Sequence, residues 1–446
     1  MNGLYNSERT REEQQSALTS GEVPIAVYGL GKMGLPMAAV YAERSGNVTG
    51  VDIDPDVVER LNRGESHIER EPGLDDLVAD LVEHGELSAT TDAHTAAEAA
   101  SIHIVIVPTQ LTDDNTPDLS ALEAAVDSIG AGLSPGDTVF VECTVPPGTC
   151  REIITPRLES VSGLERGEFG VAFCPERTSS GTALFDIRGK HPKVVGGIDE
   201  ESTRVAELVY GEFVDNEIHA MKSATTAEAV KLFEGVYRDV NIALANELAR
   251  LAESLDIDAL DAIEAASATP YCHIHSPGPG VGGHCIPWYP HFLMSQTDEP
   301  APLMQTARDV NESMPAFTVE KTAQELAANG VDIDGSSVLV LGVTYRPGVK
   351  ETRATPAKPI IEGLSQRGAT VYGCDPMVDP ADFGAEPVSV DDLQSCDVDA
   401  VVMVTPHEEF LEVDWTAFDD SVLVDGRDTL GHLNRPRYTI GRGRTD

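Results

Sequence analysis

Basic side chains are scarce in this chain. Lysine and arginine together number 31 against 75 aspartates and glutamates in 446 residues, for a formal net charge of −44. Only 8 of those bases are lysine. A surface of that sign repels nucleic acid and anionic membranes, so neither is an expected partner. Long apolar runs are also lacking: none approaches the roughly 18 residues that a membrane-spanning helix needs. The seven cysteines are odd in number and dispersed, which excludes a disulfide framework and points to a reducing, cytoplasmic setting. No signal-type apolar segment opens the chain, in keeping with that expectation. Zinc-type spacing is missing too. Cys272, His273, His275, His284 and Cys285 lie close in sequence but fit no ligand pattern, so no metal is expected.

Core-forming residues are not in short supply. Hydrophobic content is 41%, which excludes a disordered chain. The acids are scattered rather than gathered into a tail. A halophile cytoplasm holding molar salt accounts for them, because screening there acts within about 3 Å.

This length predicts two or three domains. Residues 1–20 are polar and patternless and read as a mobile tail. Over 21–220, short Val- and Ile-rich runs at 23–28, 48–51, 102–107, 138–142, 170–174 and 193–195 alternate with helical stretches. Buried parallel strands have that composition, so a doubly wound domain is expected. Residues 221–330 open with proline-free helical spacing from Thr225 to Leu255, with Val230, Phe233, Val236, Val240, Leu244, Leu248 and Leu251 on one stripe. A helix of about 30 residues would be some 45 Å long, too long for a crossover in the first sheet. It predicts a central, bridging and dimerising helical domain. Residues 331–446 repeat the strand pattern at 338–343, 370–373, 400–405 and 421–424. The fold class is therefore α/β, with two Rossmann-like doubly wound domains joined by a long-helix central domain. A second nucleotide-type domain suggests a substrate that itself carries a nucleotide.

The first strand runs into Gly29-Leu30-Gly31-Lys32-Met33-Gly34, a Gly-x-Gly-x-x-Gly fingerprint followed by a small-residue helix. The first glycine makes the tight turn, the second admits a pyrophosphate and the third lets helix and strand pack closely. Asp52 ends the next strand, at the distance where an acid meets the adenosine ribose hydroxyls, which favours NAD over NADP.

The second chemical feature is Gly278-Pro279-Gly280-Val281-Gly282-Gly283-His284-Cys285. Four glycines let backbone approach a ligand closely. They deliver one thiol, Cys285, to the start of an apolar run. A helix beginning there would favour thiolate. A redox cofactor and a cradled thiolate together suggest oxidation through a covalent thioester.

From about residue 23 onward the chain resembles the UDP-sugar 6-dehydrogenase family. The residues that carry the resemblance are Gly-Leu-Gly-Lys-Met-Gly-Leu-Pro (29–36), Glu-Pro-Gly-Leu (71–74), Val-Pro-Thr (107–109), Thr-Val-Pro-Pro-Gly-Thr (144–149), Cys-Pro-Glu-Arg (174–177) and Gly-Gly-His-Cys-Ile-Pro (282–287). Arg-Asp-Val-Asn-Ile-Ala-Leu-Ala-Asn-Glu-Leu (238–248) is similar to the branch acting on UDP-N-acetylhexosamines. The resemblance implies oxidation of a sugar C6 alcohol to a carboxylate with two NAD⁺, the substrate being a UDP-sugar and UDP-N-acetyl-D-mannosamine the first choice. It implies Cys285 as the nucleophile, with Lys231, Glu176 and Thr144 as its catalytic companions. Lys32, Met33, Thr109, Thr144 and Arg353 join the fingerprint at the cofactor. Glu176, Arg177, Lys231, Gly282, Gly283, Arg346 and Arg427 go to the substrate. A homodimer or higher homo-oligomer is expected.

The chain departs from the family pattern at three places. Gly235 stands where an asparagine is usual, Tyr289 where an aspartate is usual, and Ser180 where a second acid is usual. A glycine at 235 opens room in which a water held by Tyr289 replaces the missing donor. Several alternatives stay open: UDP-glucose or UDP-N-acetylglucosamine as substrate, a non-catalytic relative that binds NAD or UDP-sugar, and a plain pairing of Lys231 with Glu228 three residues away.

Overall fold

The structure is a computed structural model that describes residues 3–179 and 181–445. It divides into two compact units, 1–233 with 291–297, and 234–290 with 298–446.

In the first unit, eight strands form one sheet in the order Ile218–Ala220, Lys193–Gly197, Gly170–Phe173, Thr138–Val141, Ile102–Val105, Ile25–Tyr28, Val48–Val51, Leu87–Thr90. All neighbouring pairs are parallel except Gly170–Phe173 with Lys193–Gly197. The chain builds outward from Ile25–Tyr28 in one direction, then returns to Ile102–Val105 on its other side. That reversal is the switch point where doubly wound sheets bind nucleotides. The strands at 25–28, 102–105 and 138–141 are buried along their whole length, as continuous Val and Ile runs dictate. Two strands escape the sequence reading. Leu87–Thr90 and Ile218–Ala220 are short, partly exposed edge strands with no apolar run to mark them.

The expected mobile tail needs correcting. Residues 11–19 form a helix, Arg11–Thr19, whose cap Thr10 exchanges hydrogen bonds with Glu13 in a capping box. Leu4, Tyr5, Ala17 and Leu18 are buried in the same core as the first strand. Burial of those four side chains offsets the ordering entropy that a polar segment would otherwise keep.

The helix Ala224–Leu255 runs for 32 residues, and the boundary between the units falls within it. Apart from Leu232, its buried positions are small or polar, among them Glu228, Lys231, Asp239, Ala245, Asn246 and Ala249. Of the expected apolar stripe, Val230, Val236, Val240 and Leu248 are half-buried. Phe233, Tyr237, Leu244, Leu251 and Leu255 are all about half exposed or more.

In the second unit, seven strands order as Glu386–Pro387, Thr370–Cys374, Ser337–Leu341, Ala400–Met403, Val422–Asp425, Arg437–Thr439, Gly443–Thr445, parallel up to the antiparallel last pair. Buried polar contacts tie the long helix to Pro302–Ala328. Arg308 Nη1 donates to Asp239 Oδ1 at 2.5 Å, and Asn246 Nδ2 to Asn311 Oδ1 at 2.9 Å. Asn246 Oδ1 accepts from Gly278 N–H at 2.9 Å, which seats the glycine-rich loop on the same helix.

Candidate active site

At the switch point of the first unit, Gly29 has φ +98, and a β-carbon there would stand 2.6 Å from the Ile106 carbonyl oxygen. One at Gly34 would collide with the Gly29 carbonyl, so helix and strand touch there. Above Gly31 nothing lies within 4 Å of that position. The helix Gly34–Ser45 has no side-chain cap, so its positive N-terminal end is not met by a side chain and can face an anion. Asp52 Oδ2 accepts from Leu30 N–H at 2.8 Å and Oδ1 from Asp54 N–H at 3.0 Å, which aims the carboxylate into the turn. An uncapped helix start, an open glycine face and an aimed acid fit a dinucleotide. Thr109 follows the strand Ile102–Val105, and Thr144 follows Thr138–Val141, both at the carboxyl end of the sheet. Lys32 is exposed, and Met33 Sδ lies 3.0 Å from Thr178 Oγ1.

Lys231 and Glu176 come together in this unit. Lys231 Nζ stands 3.5 Å from Glu176 Oε2, and both side chains are about nine-tenths buried. Glu176 Oε1 also accepts from the backbone N–H and hydroxyl of Thr178. The alternative partner, Glu228, is engaged elsewhere. Its carboxylate accepts from Cys150 N–H at 2.8 Å and from Gly148 N–H, and burial pushes its pKa up. Glu228 thereby ties the loop after Thr144 to the helix that carries Lys231. Arg177 donates to the Pro192 carbonyl. Behind the Glu176 loop lies a buried network. Glu142 Oε2 accepts from Lys193 Nζ at 2.6 Å, its Oε1 accepts from Tyr41 at 2.8 Å, and Lys193 reaches the Pro175 carbonyl at 3.4 Å. Ser180 lies outside the described residues.

In the second unit, Cys285 is the first residue of a helix, Cys285–Met294. It is the exposed one of the seven cysteines; four of the others are buried and two are partly so. The glycines before it pack closely against other parts of the second unit. A β-carbon at Gly280 would stand 2.7 Å from Pro356, one at Gly282 2.5 Å from Tyr345, and one at Gly278 2.5 Å from Arg427 Nη1. They admit this chain's own residues. Gly283, at φ +86, donates its N–H to the Arg353 carbonyl at 2.9 Å.

Two residues the sequence reading missed face the thiol. A hydrogen bond to Cys285 raises the His284 pKa against its burial. Burial first, and then the charge of Cys285, push the Tyr345 phenol up. The signal for both was adjacency, His284 to Cys285 and Tyr345 to Arg346. Tyr345 and Arg346 lie on a loop held by Asp375, whose Oδ2 accepts from Val343 N–H at 2.7 Å and Thr344 N–H at 2.9 Å.

Arg346 is exposed, and Arg353 Nε stands 3.4 Å from Glu351. Arg427 donates to the carbonyls of Val404 at 3.2 Å and Gly280 at 3.3 Å and has no ion pair among the described residues; burial lowers its pKa to about 10. A half-buried guanidinium with only carbonyl partners suits an anion. Arg427 lines a cavity of about 350 Å³ together with Ser267, Ile274, Ser276, Asp428 and Arg442.

The water expected beside Gly235 has no room. Tyr289 fills that space, since a β-carbon at 235 would overlap its ring. Among the described residues no group of three or more His, Cys, Asp and Glu is arranged to hold a metal, and no helix is long and apolar enough to cross a membrane.

Comparison with known proteins adds to this geometry. Residues 23–214 match the NAD binding domain of the UDP-glucose/GDP-mannose dehydrogenase family, 225–313 its central domain and 339–432 its UDP binding domain. A UDP-N-acetyl-D-mannosamine dehydrogenase of Pyrococcus horikoshii is 37% identical over 411 residues, covering 91% of this chain and 96% of the relative. The solved structure of UDP-D-ManNAc dehydrogenase from Pyrococcus horikoshii superposes with a TM-score of 0.86 at 35% identity, over 94% of this chain and 100% of that one. A UDP-glucose dehydrogenase from Pyrobaculum islandicum superposes at 0.82 with 30% identity, over 91% and 94%.

Proposed function

Because the chain belongs to the UDP-glucose/GDP-mannose dehydrogenase family, we propose that it oxidises the C6 alcohol of a UDP-N-acetylhexosamine, UDP-N-acetyl-D-mannosamine first, to the uronate. The enzyme is an NAD-dependent oxidoreductase of the nucleotide-sugar dehydrogenase family. The observation that carries the finer reading is Cys285, an exposed thiol at the first position of a helix, where the positive end of the helix dipole favours thiolate.

Gly29, Gly31 and Gly34 hold the pyrophosphate, Asp52 the ribose hydroxyls, and Lys32, Met33, Thr109, Thr144 and Arg353 complete the cofactor contacts. Bound NAD⁺ supplies the hydride acceptor, one equivalent for each of two oxidations. Glu176 takes the proton of the C6 hydroxyl, while Lys231 stabilises the developing oxyanion. Cys285 Sγ then bonds to C6 of the aldehyde, giving a thiohemiacetal that retains the reactive carbon. Its oxidation leaves a thioester. Water oriented by Glu176 and Thr144 attacks C6, the C–S bond breaks, and carboxylate and free thiol are released. Arg346 and Arg427 take the diphosphate, and Arg177, Gly282 and Gly283 border the sugar.

The exposed stripe of Tyr237, Leu244, Leu251 and Leu255 is assigned to a second copy of the chain, since an apolar row of that length is costly in water. The acidic surface is assigned to a saline cytoplasm.

The test is a panel of UDP-sugars with NAD⁺ in molar KCl, UDP-glucose and UDP-N-acetylglucosamine included. About two NADH per sugar, with the uronate as product, is expected. One NADH with free aldehyde released rejects the covalent path, and binding without NADH from any sugar favours a non-catalytic relative.

A further inference from the structure

Gly235 sits well inside the helix Ala224–Leu255, where glycine costs about 1 kcal/mol relative to alanine. The side chain that requires it comes from elsewhere in the second unit. A β-carbon at 235 would overlap Tyr289 Cδ2 and stand 2.9 Å from Cγ and 3.0 Å from Cε2. Tyr289 is 7% exposed, so its ring is seated in the notch that the missing side chain leaves.

Tyr289 follows Cys285 by four residues, one turn along the same helix and on the same face. That helix is weakly secured by its own backbone. Pro290 lies inside it and has no N–H, which leaves the Ile286 carbonyl without its intrahelical donor. Contacts from outside must therefore hold the turn that carries the thiol. On the N-terminal side these are Tyr345 against Gly282 and Gly283, and the Gly283 N–H bonded to the Arg353 carbonyl. On the C-terminal side the Tyr289 ring against Gly235 is one such contact.

We infer that Gly235 and Tyr289 form one ring-on-glycine lock that sets the position of Cys285. The two departures from the family pattern are then a single exchange of volume. Side-chain bulk absent from the long helix at 235 reappears as a ring at 289. Tyr289 is a positioning residue that acts through its ring and not through its hydroxyl. The kinetic consequence rests on Cys285 being the nucleophile, whereas the seating of the thiol does not.

The test is a double-mutant cycle read three ways: kcat, KM for the UDP-sugar, and the rate of Cys285 alkylation by iodoacetamide without sugar. Gly235→Ala displaces the ring, and kcat is expected to fall by roughly ten- to a hundredfold with KM within about threefold, because misplacing a reacting group costs turnover more than binding. The alkylation rate is expected to change by roughly tenfold in the same variant. Tyr289→Phe keeps the ring and is expected to stay within about twofold of the parent. Tyr289→Ala should lose activity as Gly235→Ala does, and the double variant should be no worse than Tyr289→Ala alone, since the new methyl then has space. Where Gly235→Ala fails to fold, the double variant is expected to recover the fold.

Parental kcat and alkylation in Gly235→Ala would overturn the lock. So would losses that multiply in the double variant, an unfolded double variant beside a folded Tyr289→Ala, or a Tyr289→Phe as impaired as Tyr289→Ala. Parental turnover in Cys285→Ala would defeat the nucleophile reading and leave the alkylation result, which concerns seating alone, standing.

Discussion

At the scale of single residues, the site rests on carboxylates and carbonyls that fix cations and loops. Glu228 accepts two backbone N–H groups inside the first unit. Its replacement by alanine leaves both donors buried without partners, and a stability loss of about 2–5 kcal/mol in thermal unfolding is expected. Glu228→Gln keeps one acceptor and should lose less. The pair of His284 and Cys285 gives a pH signature. A hydrogen bond to Cys285 raises the His284 pKa, so the imidazolium persists above the ordinary histidine range near 6.5. The contribution of that pair is complete below the ordinary value and lost as pH rises through the raised one. His284→Ala should therefore shift the midpoint of Cys285 alkylation to higher pH; an unmoved midpoint would remove His284 from the thiol's environment. Much of this was legible in the sequence. Cys285 and the three fingerprint glycines announced themselves by spacing, whereas Lys231 and Glu176 came only from the resemblance to the family. Tyr345 and Glu228 did not, because their roles come from what folds against them.

Elements were legible in proportion to their burial. The central strands of both sheets stand out as Val and Ile runs, whereas Leu87–Thr90, Glu386–Pro387 and Gly443–Thr445 are short or exposed and carry no pattern. The helix Arg11–Thr19 was hidden by its polar face, although Thr10 and Glu13 spelled its capping box. The long helix was visible from its apolar spacing, yet Phe233, Leu244 and Leu251 of that stripe are exposed and its other members only half-buried. Apart from Leu232, small and polar residues fill the buried side, and no periodicity of large apolar residues reports those. If the exposed stripe holds a second copy, Leu244→Glu with Leu251→Glu should yield a monomer by light scattering at unchanged secondary structure. A dimer persisting in that variant would place the interface elsewhere. Returning bulk to the helix tests its buried side, read as turnover with the UDP-sugar. Gly235→Asn alone is expected to be severely impaired, while Gly235→Asn with Tyr289→Asp should stay within about tenfold of the parent, roughly 1.4 kcal/mol of barrier.

For the molecule as a whole, charge sets the working conditions. A net charge of −44 repels itself over about 10 Å at 0.1 M salt but only about 3 Å at 1 M. The thermal midpoint should therefore rise between 0.1 M and 2 M KCl; an unchanged midpoint would defeat the saline assignment. The same field acts on the cofactor, which is itself an anion. Its KM is expected to fall with salt until screening is complete, and that fall should be steeper for NADP because of its extra phosphate. Asp52 adds a local term against that phosphate, so a preference for NAD should survive at high salt. Equal catalytic efficiency with both cofactors in 2 M KCl would contradict the role given to Asp52.

Six of the seven cysteines are buried or partly so, and the seventh is Cys285. A single equivalent of a bulky maleimide added to the folded protein should therefore settle on one atom. The enzyme carries its own counting tag. The dye bound per chain measures the fraction of any preparation in which Cys285 is reduced and accessible, independent of protein assay, substrate purity or turnover.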